Sequence, residues 1–239
     1  MWDKAKKLRS LLGKELVLIP GGERTAVRLP DGTKIDAFRG PAGETTLVGY
    51  AEYRDGRVKA ILGNAEEKAD QATLAERIGG EEMSRITRVT ALYETSTGAV
   101  VFRTGADGER EYLLIRERKG HAGFPKGHRE PGETPAENAL REIREETGLQ
   151  VILFPGFRRE TSYLVDGSIR KSVLYFLGKA GDEEPVPQPE EVESIAFYPF
   201  REARARITFP RDREILTEAE EYLEARKAAK EKNASKNLK

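Results

Sequence analysis

The stretch from Gly123 to Leu149, GFPKGHREPGETPAENALREIREETGL, constrains this chain more than any other. Thr134 is followed by Pro135 and, three residues after the threonine, by Glu137. In that order a hydroxyl caps a helix, proline fills the first helical position, and the glutamate returns a bond to the cap. Gly148 supplies the stop. The spacing predicts a helix over about 134–147. On it Glu142, Glu145 and Glu146 fall within roughly a 100° arc. Ala136, Ala139, Leu140 and Ile143 form an adjoining apolar stripe suited to packing on a sheet. Three carboxylates this close repel one another, and Arg141 and Arg144 offset only part of that. Hard oxygen ligands on one rigid face suit Mg²⁺ or Mn²⁺. Taken alone, the helix reads more readily as a solvated acidic face with flanking arginines.

The loop upstream separates the two readings. Gly127 precedes Glu133 by six positions, Glu133 precedes Arg141 by eight, and Arg141-Glu142-Ile143-Arg144-Glu145-Glu146-Thr147-Gly148-Leu149 follows. The pattern is G-x5-E-x7-R-E-U-x-E-E-x-G-U, with U aliphatic, and all nine specified positions match. Chance delivers this in a chain of such length with a probability below about 10⁻⁶. Over about residues 86–225 the sequence resembles the Nudix hydrolases. The resemblance implies an α/β/α sandwich around a mixed sheet, with the signature forming a loop–helix–loop. It also implies hydrolysis of a nucleoside diphosphate linked to another moiety. Phosphoanhydrides resist attack because their oxygens are anionic, and a divalent metal neutralises that charge. On this resemblance Glu142, Glu145 and Glu146 hold the metal, with the carbonyl of Lys126 as a further ligand. Arg141 orients the glutamates through charge-assisted hydrogen bonds, and Glu133 takes a supporting position as a further catalytic candidate.

Flanking residues narrow the resemblance. Phe124-Pro125-Lys126-Gly127-His128 is similar to the loop preceding the signature helix in asymmetric diadenosine tetraphosphate hydrolases and their bacterial diadenosine hexaphosphate relatives. Gly156 to Tyr163 resembles the segment in which those enzymes place a tyrosine near substrate, and Lys171 to Tyr175 their lysine-bearing strand. Glu191 falls where the family often has an additional metal-binding or base-like glutamate, and Phe209 matches an aromatic that stacks on adenine. Lys126, His128, Tyr163, Lys171 and Phe209 are thereby candidate substrate contacts. The competing readings are packing for Tyr163 and Phe209, ordinary surface lysines for Lys126 and Lys171, and a solvent-facing loop position for His121. Rival activities are RNA 5′-end decapping and diphosphoinositol polyphosphate hydrolysis. A nucleotide-sensing module without catalysis is a different class, and the intact glutamates count against it.

Composition bounds the rest. In 239 residues there are 41 basic and 41 acidic side chains, a balance that argues against a nucleic-acid-coating surface and weakens RNA as partner. The absence of cysteine excludes disulfides, thiolate metal sites and cysteine nucleophiles. His121 and His128, the two histidines, are too few for a multi-histidine metal centre. The N-terminus lacks a hydrophobic signal core, and Leu16 to Pro20 is far too short to span a membrane. A cytoplasmic protein without membrane attachment is expected. Residues 4–12 read as a basic helix, and Asp31-Gly32, Asp55-Gly56 and Asp107-Gly108 as hairpin turns between strand-like runs. A helix over 66–78 stops at Gly79-Gly80, the expected domain boundary. The resulting division is a small β-rich domain over 1–80, a Nudix domain over 86–225 and a basic tail over 226–239. The first domain has no recognisable motif and could restrict access, bind another molecule or make a homodimer. Further strands are expected at 172–177 and 194–198, and a final helix at about 212–230. The six acids and three prolines between Asp182 and Glu193 read as a mobile solvated loop, Glu191 excepted.

Overall fold

The computed structural model describes residues 2–19, 25–38, 44–64, 68–165 and 167–236. Two compact units emerge. The first comprises residues 1–95 with 130–132 and 162–172; the second comprises 96–129, 133–161 and 173–239.

The first unit begins with α1 (Trp2–Ser10) and continues through β1 (Val17–Ile19), β2 (Ala26–Arg28), β3 (Lys34–Phe38), β4 (Thr46–Tyr53) and β5 (Val58–Gly63). Helices α2 (Gln71–Ile78) and α3 (Gly80–Met83) then lead into β6 (Ile86–Ala91). The six strands form one sheet in the order β1-β2-β3-β5-β4-β6, with β3 and β5 parallel. Asp31-Gly32 and Asp55-Gly56 make the expected turns, their glycines at φ +86° and +79°, conformations that cost glycine little. One apolar cluster gathers Leu8, Leu16, Val27, Leu47, Tyr50, Leu62 and Leu92, and Ile169 joins it. A second gathers Val48, Ile61, Leu74, Ile86 and Val89. Strand β6, placed by sequence in the second domain, instead pairs with β4 over Gly49–Tyr53. Gly79-Gly80 therefore lies inside the first unit. Helix α2 begins at Gln71, capped by Asp70; the start expected at 66 falls on residues 65–67, outside the described ones.

The remaining elements are β7 (Tyr93–Thr104), β8 (Arg110–Glu117), β9 (Ala122–Gly123), β10 (Lys126–His128), α4 (Pro135–Thr147), β11 (Val151–Val165), β12 (Ile169–Ala180), β13 (Val192–Pro199), α5 (Phe200–Arg206) and α6 (Pro210–Lys236). Their sheet has the order β11-β12-β7-β8-β13, with β10 added to β7 and β9 to β8. Strand alternation splits the core into two layers. Ala99, Val101, Leu113 and Phe176 face the α4 side with Ala139 and Ile143. Val100, Phe102, Tyr112, Leu114, Tyr175 and Leu177 face the opposite side with Ala203, Ile215, Leu216 and Ala219 of α5 and α6. This is the α/β/α sandwich expected from the sequence. Helix α6 runs from Pro210, at a position where proline starts a helix readily, to Lys236. Residues 226–236 of the expected tail are accordingly helical. Among the described residues no helix is long and apolar enough to cross a membrane.

Candidate active site

Helix α4 begins as its sequence dictates. The Glu137 amide donates to Thr134 Oγ1 at 3.3 Å, and the Thr134 amide donates to Glu137 Oε2 at 2.8 Å. Gly148 closes the helix at φ +71°. With Ala139 and Ile143 seated in the core, Glu142 and Glu146 turn inward to 8% and 4% exposure, while Glu145 stays exposed.

Arg141 is the hub. Its Nε and Nη2 donate to the two oxygens of Glu133 at 2.6 and 3.0 Å. Nη1 donates to Glu142 Oε1 and Glu145 Oε2, both at 2.8 Å, and Nη2 also donates to the His128 carbonyl at 2.9 Å. Bonding to Glu133 foremost raises the pKa of the guanidinium and keeps it charged. Burial pushes Glu146 up to about 8, with Lys126 resisting and Glu142 and Glu117 adding to the rise. Among the described residues its carboxylate accepts one hydrogen bond, from the Lys126 amide to Oε2 at 2.8 Å. Glu142 is likewise raised by burial, against Arg141, and the charges of Glu145 and Glu191 push it further. Glu191 therefore lies within electrostatic reach of Glu142. Gly127 is required by close approach, because a Cβ there would fall inside the Glu142 carboxyl group.

The acidic loop before β13, largely exposed as expected, is fastened through its backbone. The Val186 amide donates to Thr147 O at 2.8 Å, and Gln188 to Glu146 O at 3.3 Å. Glu191 and Val192 amides both return to Gln188 O, and the Arg118 amide donates to Glu191 O at 3.1 Å. Arg118 Nε also reaches Pro189 O at 2.6 Å. The physical reason is that the last carbonyls of a helix need donors, and this loop supplies them while its prolines restrict the backbone.

Other predicted contacts are placed less uniformly. The Lys126 ammonium is held by Glu117 Oε1 at 2.6 Å. Burial opposes it, yet the charge and hydrogen bond of Lys126 keep Glu117 below its ordinary value. His128 is exposed and contributes its carbonyl to Arg141. Phe209 is 48% exposed, and its ring lies 5.0 Å from that of His121, so His121 has an aromatic partner that sequence reasoning missed. Tyr163 and Lys171 belong to the first unit, whereas the glutamates belong to the second. Tyr163 is exposed, and Lys171 Nζ pairs with Glu94 Oε2 at 3.6 Å. Asp212, also missed, is 7% exposed in the first turn of α6, and burial pushes it up to about 6. An acid in a helix's opening turn is ordinary, so its spacing gave no signal.

Among the described residues, no three acidic or histidine side chains converge on one point as they stand. Glu142 and Glu145 are both turned onto Arg141. The donor chemistry nevertheless fits a hard divalent cation. The oxygens are all carboxylate, two of the three acids are buried on one rigid helix, and Glu146 has a single donor against its burial.

A NUDIX domain model matches residues 93–219. The asymmetrical bis(5′-nucleosyl)-tetraphosphatase of Mus musculus is 34% identical over 119 residues, 47% of this chain and 80% of that one. MutT4 of Mycobacterium tuberculosis is 31% identical over 147 residues, and the match spans only 59% of its length. A crystal structure of a C. elegans Ap4A hydrolase complex superposes with a TM-score of 0.52 at 24% identity, over 55% of this chain and 98% of that one, which bears on the fold alone. A domain match covering more than half the chain, on a sandwich whose signature helix presents its glutamates as described, places this protein in the Nudix family of hydrolases.

Proposed function

We propose that this protein hydrolyses dinucleoside polyphosphates asymmetrically, with Mg²⁺ or Mn²⁺ held by Glu142, Glu145 and Glu146, the Lys126 carbonyl and Glu191. The observation that carries the reading is the burial of Glu142 and Glu146 on one helix, each among further acidic charges. Such an arrangement is costly unless a cation completes it. The bound metal would lower the charge barrier at a phosphoanhydride and activate water. The chain's own residues do the remainder. Arg141 holds Glu142 and Glu145 at one edge and Glu133 at the other, so the carboxylates approach the guest from a fixed direction. Glu191, whose backbone lies on the loop pinned to the end of α4, is our candidate to accept a proton from the attacking water. Water adds across one anhydride: one product gains the hydroxyl, and the other leaves as a phosphate. The exposed Phe209–His121 pair offers a stacking surface for one purine.

The resemblance to the tetraphosphatases supports this substrate class. Holding one purine end fixes one anhydride over the glutamates, so diadenosine tetraphosphate should yield ATP and AMP. Chromatography of the products with Mg²⁺ and with Mn²⁺ tests it, alongside capped RNA, a diphosphoinositol and 8-oxo-dGTP. Two ADP, or turnover confined to another substrate, removes the assignment. Phe209→Ala should raise KM about tenfold while leaving kcat within a few-fold, because stacking on a remote base is mostly uniform binding.

A further inference from the structure

The proposed chemistry leaves two buried polar side chains of α4 unused: Thr147, whose hydroxyl bonds back within its own helix to the Ile143 carbonyl, and Asn138. Asn138 is 0% exposed. Asparagine is a poorer helix former than alanine, and a buried amide is tolerated only when hydrogen-bonded. Its bonds lead to two different strands. Thr97 Oγ1, on β7, donates to Asn138 Oδ1 at 2.6 Å. Asn138 Nδ2 donates to the carbonyl of His128, the last residue of β10, at 3.0 Å. The two strands are themselves paired, Gly127 opposite Thr97 and His128 opposite Ser96. Asn138 thus bridges a strand pair to the glutamate helix from inside.

The His128 carbonyl is where this matters. It accepts from Asn138 and, at 2.9 Å, from Arg141 Nη2, so two donors three residues apart on α4 fill it. Strand β10 also carries the Lys126 amide that bonds Glu146 and the Gly127 Cα that packs on the Glu142 carboxyl. A slip of β10 along α4 would therefore move the Lys126 carbonyl, Glu142 and Glu146 relative to one another. We propose that Asn138 is a positioning residue that sets the register of the Lys126–His128 strand on the glutamate helix, acting through the loop and not on substrate. Its catalytic consequence rests on the hydrolytic reading above.

The test uses the full chain with Asn138→Asp, which keeps size and the acceptor for Thr97 but loses the donor to His128, and Thr97→Val, which removes the other bond. Asn138→Asp should lower kcat and Mn²⁺ affinity by about tenfold or more with KM within about twofold, the scale seen when an outer-shell partner is lost. Amide exchange over residues 127–133 should speed up while the rest of α4 keeps its protection. Thr97→Val should shift the same quantities less. Wild-type kcat, Mn²⁺ affinity and loop exchange in both variants would overturn the proposal and leave Asn138 a space-filling residue. If Asn138→Asp does not fold, Thr97→Val decides through the same readouts. If the unaltered protein turns over no anhydride, the proposed function fails, and Mn²⁺ affinity with loop exchange still decides this inference.

Discussion

Two buried acids, one in each unit, are equally hidden and differently treated. Asp70 in the first unit and Glu146 in the second are each 4% exposed. Asp70 caps α2 and accepts from the Thr73 amide at 2.9 Å, the Thr73 hydroxyl at 2.8 Å and the Thr95 hydroxyl. Glu146 accepts one amide and faces Glu142 and Glu117. A buried carboxylate whose lone pairs are filled by its own fold is part of the scaffold. One that accepts a single amide among other acids is where we propose a cation.

The largest effect should come from Glu146→Gln. Turnover should fall by more than about a hundredfold, while thermal denaturation near neutral pH shows a midpoint unchanged or higher, because the fold no longer has to take up a proton on a buried acid. An active variant, or one that unfolds, would break the comparison. The next effect is pH-dependent. Glu146, at about 8, and Asp212, at about 6, both hold protons in the folded state that the unfolded chain releases near the ordinary carboxylate range. Stability of metal-free protein should therefore fall as pH rises from about 4.5 to 8. Melting midpoints in chelator across that range check the sign; excess Mn²⁺ should flatten the slope, and so should Glu146→Gln. A slope of the opposite sign would remove the donor-starved description. The smallest effect belongs to Asp70→Ala, which should cost about 1–2 kcal/mol through the lost cap. A shift of a few degrees in the melting midpoint reads it, and no shift would mean that the three donors do not matter.

Much of the second unit was legible because its signals are local. Thr134, Pro135, Glu137 and Gly148 fix the 13-residue α4 from its two ends, and the apolar stripe then fixes which glutamates turn inward. The three Asp-Gly turns are local in the same sense. What escaped was long-range. Nothing near Ile86–Ala91 announces that this strand would pair with β4. Nothing near Ile169 announces that it joins Leu8 and Leu47 in one cluster. Asp212 lay in an unremarkable helix start, and its burial depends on what surrounds it. The anchorage of the acidic loop escaped because composition speaks for side chains, whereas Val186 and Gln188 are held through their backbone amides.

That loop also acts as a ruler. Val186 and Gln188 are fastened to the final turn of the helix that carries the glutamates, and Glu191 lies three residues past the second fastening. Between residues 181 and 185 an added residue would bulge into solvent without shifting the measure. Between 188 and 191 a single insertion or deletion would carry Glu191 off its mark while both fastenings held. Length is therefore free to change on one side of Val186 and fixed on the other.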